Sequence, residues 1–245
     1  MQETLQRKQP DGVPPLELTG ERTLPDLPAE NYWFRRHEVV YEWIAERCAG
    51  LKVVDMACGE GYGSHVLARR AREVTGVDAN PDAYEHARLK YTRPGVSFVR
   101  NMVELHHEPC DAIVFLQTIE HVPDPEGVLR HFRQMADTVY VSTPNLLTLA
   151  PPGAEKSGNP WHLREYRLAE FRALCGDAAE LYGLFHARKL RAHELALRAG
   201  WDRVHGALGI TKPFYDRFTP AISARDFTLR QSGLERALDF VAVLR

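Results

Sequence analysis

The segment that most constrains the fold is Val53-Val54-Asp55-Met56-Ala57-Cys58-Gly59-Glu60-Gly61-Tyr62-Gly63. A compact apolar run, residues 52–58, enters a turn with alternating glycines, and a helical pattern over 62–72 leaves it. Glycine tolerates positive φ and, having no Cβ, lets another group come close to the backbone. A strand, a glycine turn and a helix in that order are the first half of a βαβ unit. The pattern repeats downstream: strand signals at 74–79, 96–100, 111–117 and 138–143 alternate with helical ones at 82–90 and 125–135. Asn80-Pro81 is a strong helix start, and Pro144 stops the fifth strand.

Such alternation implies right-handed crossovers and a mainly parallel sheet, so the expected fold is α/β and doubly wound. In that fold the glycine turn lies at the carboxyl end of the central strand, where ligands bind. After Pro144 the pattern loosens into a loop over 146–165, a helix at 168–174 and a strand at 181–186. Residues 187–223 resemble an insertion, partly helical at 190–198, and 238–244 form a plausible last strand. Ahead of the alternation, Tyr32, Trp33, Val39, Val40, Trp43 and Ile44 recur at helical spacing. The expected organisation is an N-terminal arm and lid helix over 1–48, then one domain over 49–245 with an inserted cap at about 187–223.

Composition narrows the function classes. With 245 residues, 44% hydrophobic and 26% charged, the chain is one ordinary globular domain carrying an insertion. Lys plus Arg (31) nearly balances Asp plus Glu (33), so no global field draws the protein to nucleic acid or an anionic membrane. No basic stripe and no Asn-Pro-Pro-Tyr-type base-flipping motif follows the fourth strand, which also disfavours a nucleic-acid substrate. Cys48, Cys58, Cys110 and Cys175 are scattered without a CxxC pair, as expected of free thiols in a reducing compartment. Residues 1–15 lack the apolar core of a signal peptide, and no apolar run is long enough to span a bilayer. The expected location is cytoplasmic, with no membrane partner.

The glycine turn has an acidic companion. Asp78 closes the second strand, 19 residues beyond Gly59, where a carboxylate can accept both ribose hydroxyls of an adenosine. A nucleoside-containing cofactor is therefore expected, and two chemistries compete for it. A dinucleotide fingerprint needs G-x-G-x-x-G with the pyrophosphate at the helix N-terminus. Counted from Gly59, the third glycine position holds Ser64, and Asp55 and Glu60 add negative charge beside the turn. That charge suits an ammonium and a sulfonium, the two cations of S-adenosylmethionine (SAM), better than a pyrophosphate.

Through Asp55–Gly63, Asp78 and Gln117-Thr118-Ile119-Glu120-His121-Val122, the chain resembles the class I SAM-dependent methyltransferases over about residues 50–145. The resemblance implies a Rossmann-like, seven-stranded sheet whose last strand, here 238–244, is antiparallel. It implies that Gly59 and the carbonyl of Ala57 hold the methionine ammonium, with Asp55 ordering that site and Gly61 completing the turn. It places Asp78 on the ribose, Ala79 along the adenosine, Asn101 on the adenine amine, Met102 over the ring, and Gln117 at the end of the fourth strand beside the cofactor. SAM is the implied cofactor and S-adenosylhomocysteine (SAH) its product.

Methyl transfer from a sulfonium needs an aligned nucleophile and, for a hydroxyl, removal of its proton. His121 is the preferred base, because it follows the fourth strand and histidine titrates near neutral pH. A purely structural role for Glu120-His121 in shaping the loop is the competing reading. His162 and His186 are further candidates, each with a structural reading beside it. His106-His107-Glu108 are adjacent on a loop and not expected to converge on an ion, so no metal is expected.

The N-terminal stretches Leu18-Thr19-Gly20-Glu21-Arg22-Thr23 and Glu30-Asn31-Tyr32-Trp33-Phe34-Arg35-Arg36-His37 are dense in aromatic and cationic residues. They are expected to close over the cofactor, with Tyr32 stacking and Arg35 or Arg36 pairing with the methionine carboxylate. The two stretches are similar to the N-termini of actinobacterial methyltransferases associated with methylated glucose polysaccharides. That similarity implies a sugar hydroxyl as acceptor and a methyl ether as product, with Trp161, Trp201 and Phe214 as platforms for sugar faces or, equally, core residues. The expected function is methyl transfer to a small-molecule or saccharide hydroxyl by a monomer or homodimer. The alternatives are an NAD(P)-dependent oxidoreductase, an N- or C-methyltransferase of a small metabolite, and a non-catalytic binding module, which the intact cofactor loop disfavours.

Overall fold

A computed structural model describes residues 5–6, 8–151, 153–200, 204 and 219–245. After the arm, α1 (Asn31–Arg47) leads into β1 (Lys52–Met56), α2 (Tyr62–Leu67), β2 (Glu73–Asp78), α3 (Pro81–Lys90) and β3 (Val96–Arg100). Then come β4 (Cys110–Leu116), α4 (Pro125–Met135), β5 (Ala136–Pro144), the single turn α5 (Leu146–Leu149) and α6 (Leu168–Cys175). The chain continues through β6 (Glu180–His186), α7 (Arg188–Arg198), β7 (Phe227–Arg230) and β8 (Asp239–Leu244).

The strands form one sheet in the order β3-β2-β1-β4-β5-β8-β6-β7. The pairs β1·β2, β1·β4, β2·β3 and β4·β5 are parallel, and β8 runs antiparallel between β5 and β6. The expected α/β, doubly wound arrangement with an antiparallel last strand is present. One correction concerns strand number: the sheet has eight strands, because Phe227–Arg230 adds an antiparallel edge strand against β6. At four residues, with only Phe227 buried, that strand carries too little alternation to be seen in the sequence. A second correction shortens the helix expected over 62–72. It ends at Leu67, because the chain must turn back to enter β2, and Arg72 N–H bonds the carbonyl of Leu51 on the way.

Successive strand residues point to opposite faces, which makes two cores. Val53 and Val114 pack under α1 with Val40, Tyr41 and Ile44. Val54, Met56, Ile113 and Phe115 pack on the other face with Phe132 of α4 and Phe171 of α6. Both sides of β1 and β4 are thus covered, and their carboxyl ends are left as the place where the chain can open. Local chemistry sets the helix starts there. Asn80 caps α3 by accepting from Asp82 and Ala83 N–H, with Pro81 at the first helical position, and Asp124 caps α4 through Gly127 N–H.

The described part of the arm packs on the domain. Leu16, Leu24 and Leu27 form a small core of their own, and the carbonyl of Pro14 accepts from His86 Nδ1 on α3 at 2.6 Å. Helix α1 is fixed to the far edge of the sheet by Asn31, whose amide donates to the carbonyls of Thr219 and Ile222. In the expected cap, α7 opens the insertion, while Trp201 and Phe214 lie outside the described residues. Among the described residues no helix is long and apolar enough to cross a membrane.

Candidate active site

The carboxyl ends of β1, β2 and β4, together with Pro144 at the end of β5, open on a cleft of about 520 Å3. That lies within the roughly 300–1,000 Å3 of small-molecule sites. The arm lines it through Leu18, Gly20, Glu21, Arg22 and Thr23, α1 contributes Trp33, His37 and Tyr41, and the loop that carries Ser157, Gly158, Asn159 and His162 meets the arm where Trp161 Nε1 donates to the carbonyl of Thr19 at 3.3 Å.

Ala57, Gly59 and Asp78 line the cleft beside one another. Asp78 Oδ2 accepts from Gly59 N–H at 2.8 Å and Oδ1 from Asn80 N–H at 2.9 Å, so the carboxylate is pinned and its remaining lone pairs are free for hydroxyls. Burial raises its pKa, against the pull of the two N–H bonds and the nearby Arg22 charge. Ala57 (φ 55°) and Gln117 (φ 53°) are the non-glycine residues with positive φ among those described. They sit just past the ends of β1 and β4, where strained backbone commonly marks a site. Gln117 is held there by its N–H to the carbonyl of Ser142 and its side-chain amide to Ser142 Oγ.

Asp55 stands behind the loop, not in the cleft. It is fully buried and accepts from Tyr41 OH at 3.2 Å and Ser64 Oγ at 2.7 Å. Burial pushes its carboxyl up to about 7, although both hydroxyls oppose the shift. The serine that breaks the dinucleotide fingerprint is therefore the partner of the strand's acidic residue. Gly61 serves packing: with φ 96° it has no room for a Cβ, which would lie 2.8 Å from Ala87 Cβ. Gly63 admits the ring of Tyr41, whose Cζ would be 2.2 Å from an added Cβ.

Another part of the cleft is built around Glu120 and His121. The carbonyl of Glu120 accepts from Leu163 and Arg164 N–H, and His121 Nδ1 meets the carbonyl of Trp161 at 2.8 Å. A carbonyl only accepts, so Nδ1 carries the hydrogen and the lone pair of the neutral ring is on Nε2. Burial lowers the His121 pKa, with the Trp161 carbonyl opposing, which keeps the ring neutral at pH near 7. His162 is differently placed. Trp161 N–H donates to Asn159 Oδ1, which fixes that amide so that Nδ2 donates to His162 Nε2 at 3.0 Å. His162 Nδ1 donates to Glu165 Oε1 at 2.7 Å, so both ring nitrogens are engaged. His162, expected as a second candidate base, has both ring nitrogens engaged in this network, which ties the loop together.

One ligand-type atom each of Glu120, His121 and His162 lies within 4.8 Å of the others. This donor set is of the kind that holds a divalent cation, and His162 would join one only by giving up a bond to Asn159 or Glu165. The Glu120 carboxyl is buried, its Oε2 has no hydrogen-bond partner, and burial raises its pKa to about 8.

Several expected site residues are elsewhere. Tyr32 and Arg36, one helical turn apart, face β6–β8: Tyr32 OH meets His186 Nε2 at 2.8 Å and Arg36 bonds Asp239. Neither reaches the cleft, and Arg35 is committed to Glu38 at 2.5 Å. The neighbouring face of the same helix carries Trp33, His37 and Tyr41 into it. Their i, i+4, i+8 spacing was available in the sequence, but the choice between two adjacent stripes was not. His37 is pushed by burial down to about 4, so it is neutral there. Ala79 is exposed outside the cleft lining. Asn101 and Met102 adjoin Asp78 only through backbone; the Asn101 amide bonds Leu105 O and Met102 N–H, and Met102 is exposed. His186 belongs to the Tyr32 cluster, with its Nδ1 at 3.2 Å from Glu194.

Comparison with known proteins agrees with this geometry. The family described as "Methyltransferase domain" matches residues 21–195. A Mycolicibacterium smegmatis protein named "probable S-adenosylmethionine-dependent methyltransferase" is 42% identical over 254 residues, covering 96% of this chain and 97% of its own. A protein of Mycobacterium tuberculosis (strain H37Rv) with the same description is 36% identical over 239 residues, covering 91% of this chain and 86% of its own. A ubiquinone biosynthesis O-methyltransferase of Pseudomonas savastanoi is 36% identical over a shorter stretch, 46% of this chain and 55% of its own. Among solved structures, an S-adenosylmethionine-dependent methyltransferase from Mesorhizobium loti superposes with a TM-score of 0.51 at 17% identity, covering 83% of this chain and 96% of its own. Nothing here supports the oxidoreductase alternative, and the residues at the cleft fit SAM: Gly59, which carries no side chain, a carboxylate at Asp78 held by two N–H groups, and the carboxylates of Glu21 and Glu30 for its cations. The chain belongs to the methyltransferase domain family and is a SAM-dependent methyltransferase.

Proposed function

We propose that the enzyme methylates a hydroxyl of a small molecule, and of a saccharide in particular, with His121 as general base. SAM supplies an activated methyl on a sulfonium; the protein's part is to hold the acceptor and take its proton. Ala57 and Gly59 hold the amino-acid end, Asp78 the ribose, and Gln117 the side of the cofactor nearest the acceptor. The observation that carries the reading is the His121 ring, fixed by the Trp161 carbonyl with a lone pair on Nε2 beside the cleft. A hydroxyl needs such a base, whereas a neutral amine brings its own lone pair.

Two further features favour a sugar. Trp33, which lines the cleft, is 37% exposed, and Trp161, on the loop next to His162, is 45% exposed; aromatic rings suit the apolar faces of pyranose rings. The relative of ubiquinone biosynthesis is an O-methyltransferase by name, which supports oxygen as the accepting atom. The test is a panel of mono- and oligosaccharides, phenols and amines incubated with SAM, reading SAH release and product mass. Methyl ethers of saccharides support the reading, phenol ethers narrow it to O-methylation, and turnover only on amines overturns it.

A further inference from the structure

The loop over residues 157–165 has no helix or strand of its own, so its side chains must hold it in place. Its hub is Glu165. Oε2 accepts from Ser157 N–H at 2.7 Å, and Oε1 accepts from the Ser157 hydroxyl and from His162 Nδ1 at 2.7 Å. The Glu165 side chain is 4% exposed and lies outside the cleft lining. Burial raises its pKa, but the bonds from Ser157 and His162 outweigh that and hold it below its usual value. It is therefore a carboxylate, and it closes the loop on itself.

That closure reaches the cleft through Asn159. Its N–H donates to Ser157 Oγ at 3.2 Å, while its side chain accepts from Trp161 N–H and donates to His162 Nε2. Trp161 thus sits between two residues that are both tied to Glu165, directly or through Ser157. Its carbonyl is the group that meets His121 Nδ1. A neutral imidazole can carry its hydrogen on either nitrogen, and the bond made by one of them decides which. The far end of the loop is anchored separately, by Leu163 and Arg164 N–H on the Glu120 carbonyl. Loss of Glu165 therefore frees the part that carries the Trp161 carbonyl without releasing the whole segment.

We infer that Glu165 is a positioning residue for His121: it closes the loop so that the Trp161 carbonyl takes the hydrogen of Nδ1 and Nε2 keeps its lone pair. The inference rests on the proposal that His121 is the base and adds the residue that holds it ready. Glu165 acts through the loop, not on a ligand.

The test is nitrogen-15 NMR of the SAH-bound protein labelled at histidine, at about pH 8, where the His121 ring is neutral. His121→Ala assigns the ring signals. In the wild type Nδ1 should show the shift of a protonated ring nitrogen and Nε2 that of a bare one. In Glu165→Ala the two shifts should move toward each other as the tautomers mix. Glu165→Gln should fall between, because an amide offers one accepting oxygen where the carboxylate offers two. The Kd of SAH should stay within about twofold in both variants, and kcat on the acceptor found in the panel above should fall about 10–100-fold. Glu170→Ala removes a nearby carboxylate that accepts from Arg167 N–H outside this network, and it should leave the His121 signals as they are. A wild-type ring with its hydrogen on Nε2, unchanged His121 signals in Glu165→Ala, or equal changes in Glu170→Ala would each overturn the inference. Full turnover by His121→Ala would remove the base reading instead, whatever the tautomer. Melting temperatures of the variants separate a displaced loop from a lost fold.

Discussion

Arg36 and Asp239, 203 positions apart, form a two-point ion pair: Nε to Oδ2 at 2.7 Å and Nη2 to Oδ1 at 2.5 Å. Their side chains are 5% and 1% exposed. The pair joins α1 to the first residue of β8, and Arg36 Nη2 also donates to the carbonyl of Leu238. It therefore ties the helix that carries Trp33 and His37 to the strand beside Pro144, at the rim of the cleft.

Removing one partner leaves the other charge buried and unanswered. Arg36→Ala or Asp239→Ala should cost about 3–5 kcal/mol of unfolding free energy. An Arg36→Met/Asp239→Leu double variant should recover most of that loss, since apolar replacement of both partners is often close to neutral. Urea unfolding monitored by tryptophan fluorescence checks this. A single variant losing less than about 1 kcal/mol would show that water relieves the charge, as at exposed pairs.

His121 and His162 should behave oppositely. If His121 is the base proposed above, its neutral form is the active one and its pKa lies below the usual 6.5, so the rate should rise with pH through that lowered value and then level off. His121→Ala should lose this acid limb and about 10²–10⁴-fold in kcat while binding SAH as before. His162→Gln should keep the limb, because both nitrogens of His162 are spent on Asn159 and Glu165. A pH profile whose acid limb vanishes in His162→Gln and persists in His121→Ala would reverse the assignment.

Asp78 should matter to every adenosine-containing ligand. Asp78→Ala removes the carboxylate that Gly59 and Asn80 N–H hold in place. The Kd values of SAH and of 5′-methylthioadenosine, which keeps the adenosine but has no amino-acid tail, should both rise about 10–100-fold. A loss confined to SAH would move Asp78 away from the ribose.

What could be read in advance, and what could not, follows from the range of the interactions. Strand–helix alternation is local, so β1 to β5 and the glycine turn were legible from Lys52 to Pro144. So was the position at the cleft of Ala57, Gly59, Asp78 and Gln117, which lie at or just beyond strand ends. The fate of Tyr32 and Arg36 was not, because it depends on His186 and Asp239, more than 150 positions away. His162 looked like a base until Asn159 and Glu165 were placed around it, and Asn101 looked like an adenine partner until its amide turned to Leu105 O. Periodicity tells that a helix has stripes; tertiary structure decides which stripe meets the ligand.

Asp55 gives a stability test of the loop's support. In the unfolded chain it titrates at its ordinary 3.8, and in the fold burial raises it to about 7. Between those values the unfolded chain releases a proton that the folded one retains, so rising pH favours unfolding. The stabilisation from the protonated carboxyl is full below about pH 4 and lost as pH rises through about 7. Asp55→Asn cannot ionise and carries no such slope, although it gives up one of the bonds to Tyr41 or Ser64. The wild type should therefore melt well above the variant near pH 5, and the gap should shrink or reverse by about pH 8. Melting curves of both proteins across that range decide it. A gap constant with pH would mean that Asp55 is already ionised in the fold, with Tyr41 and Ser64 sufficient to solvate its charge.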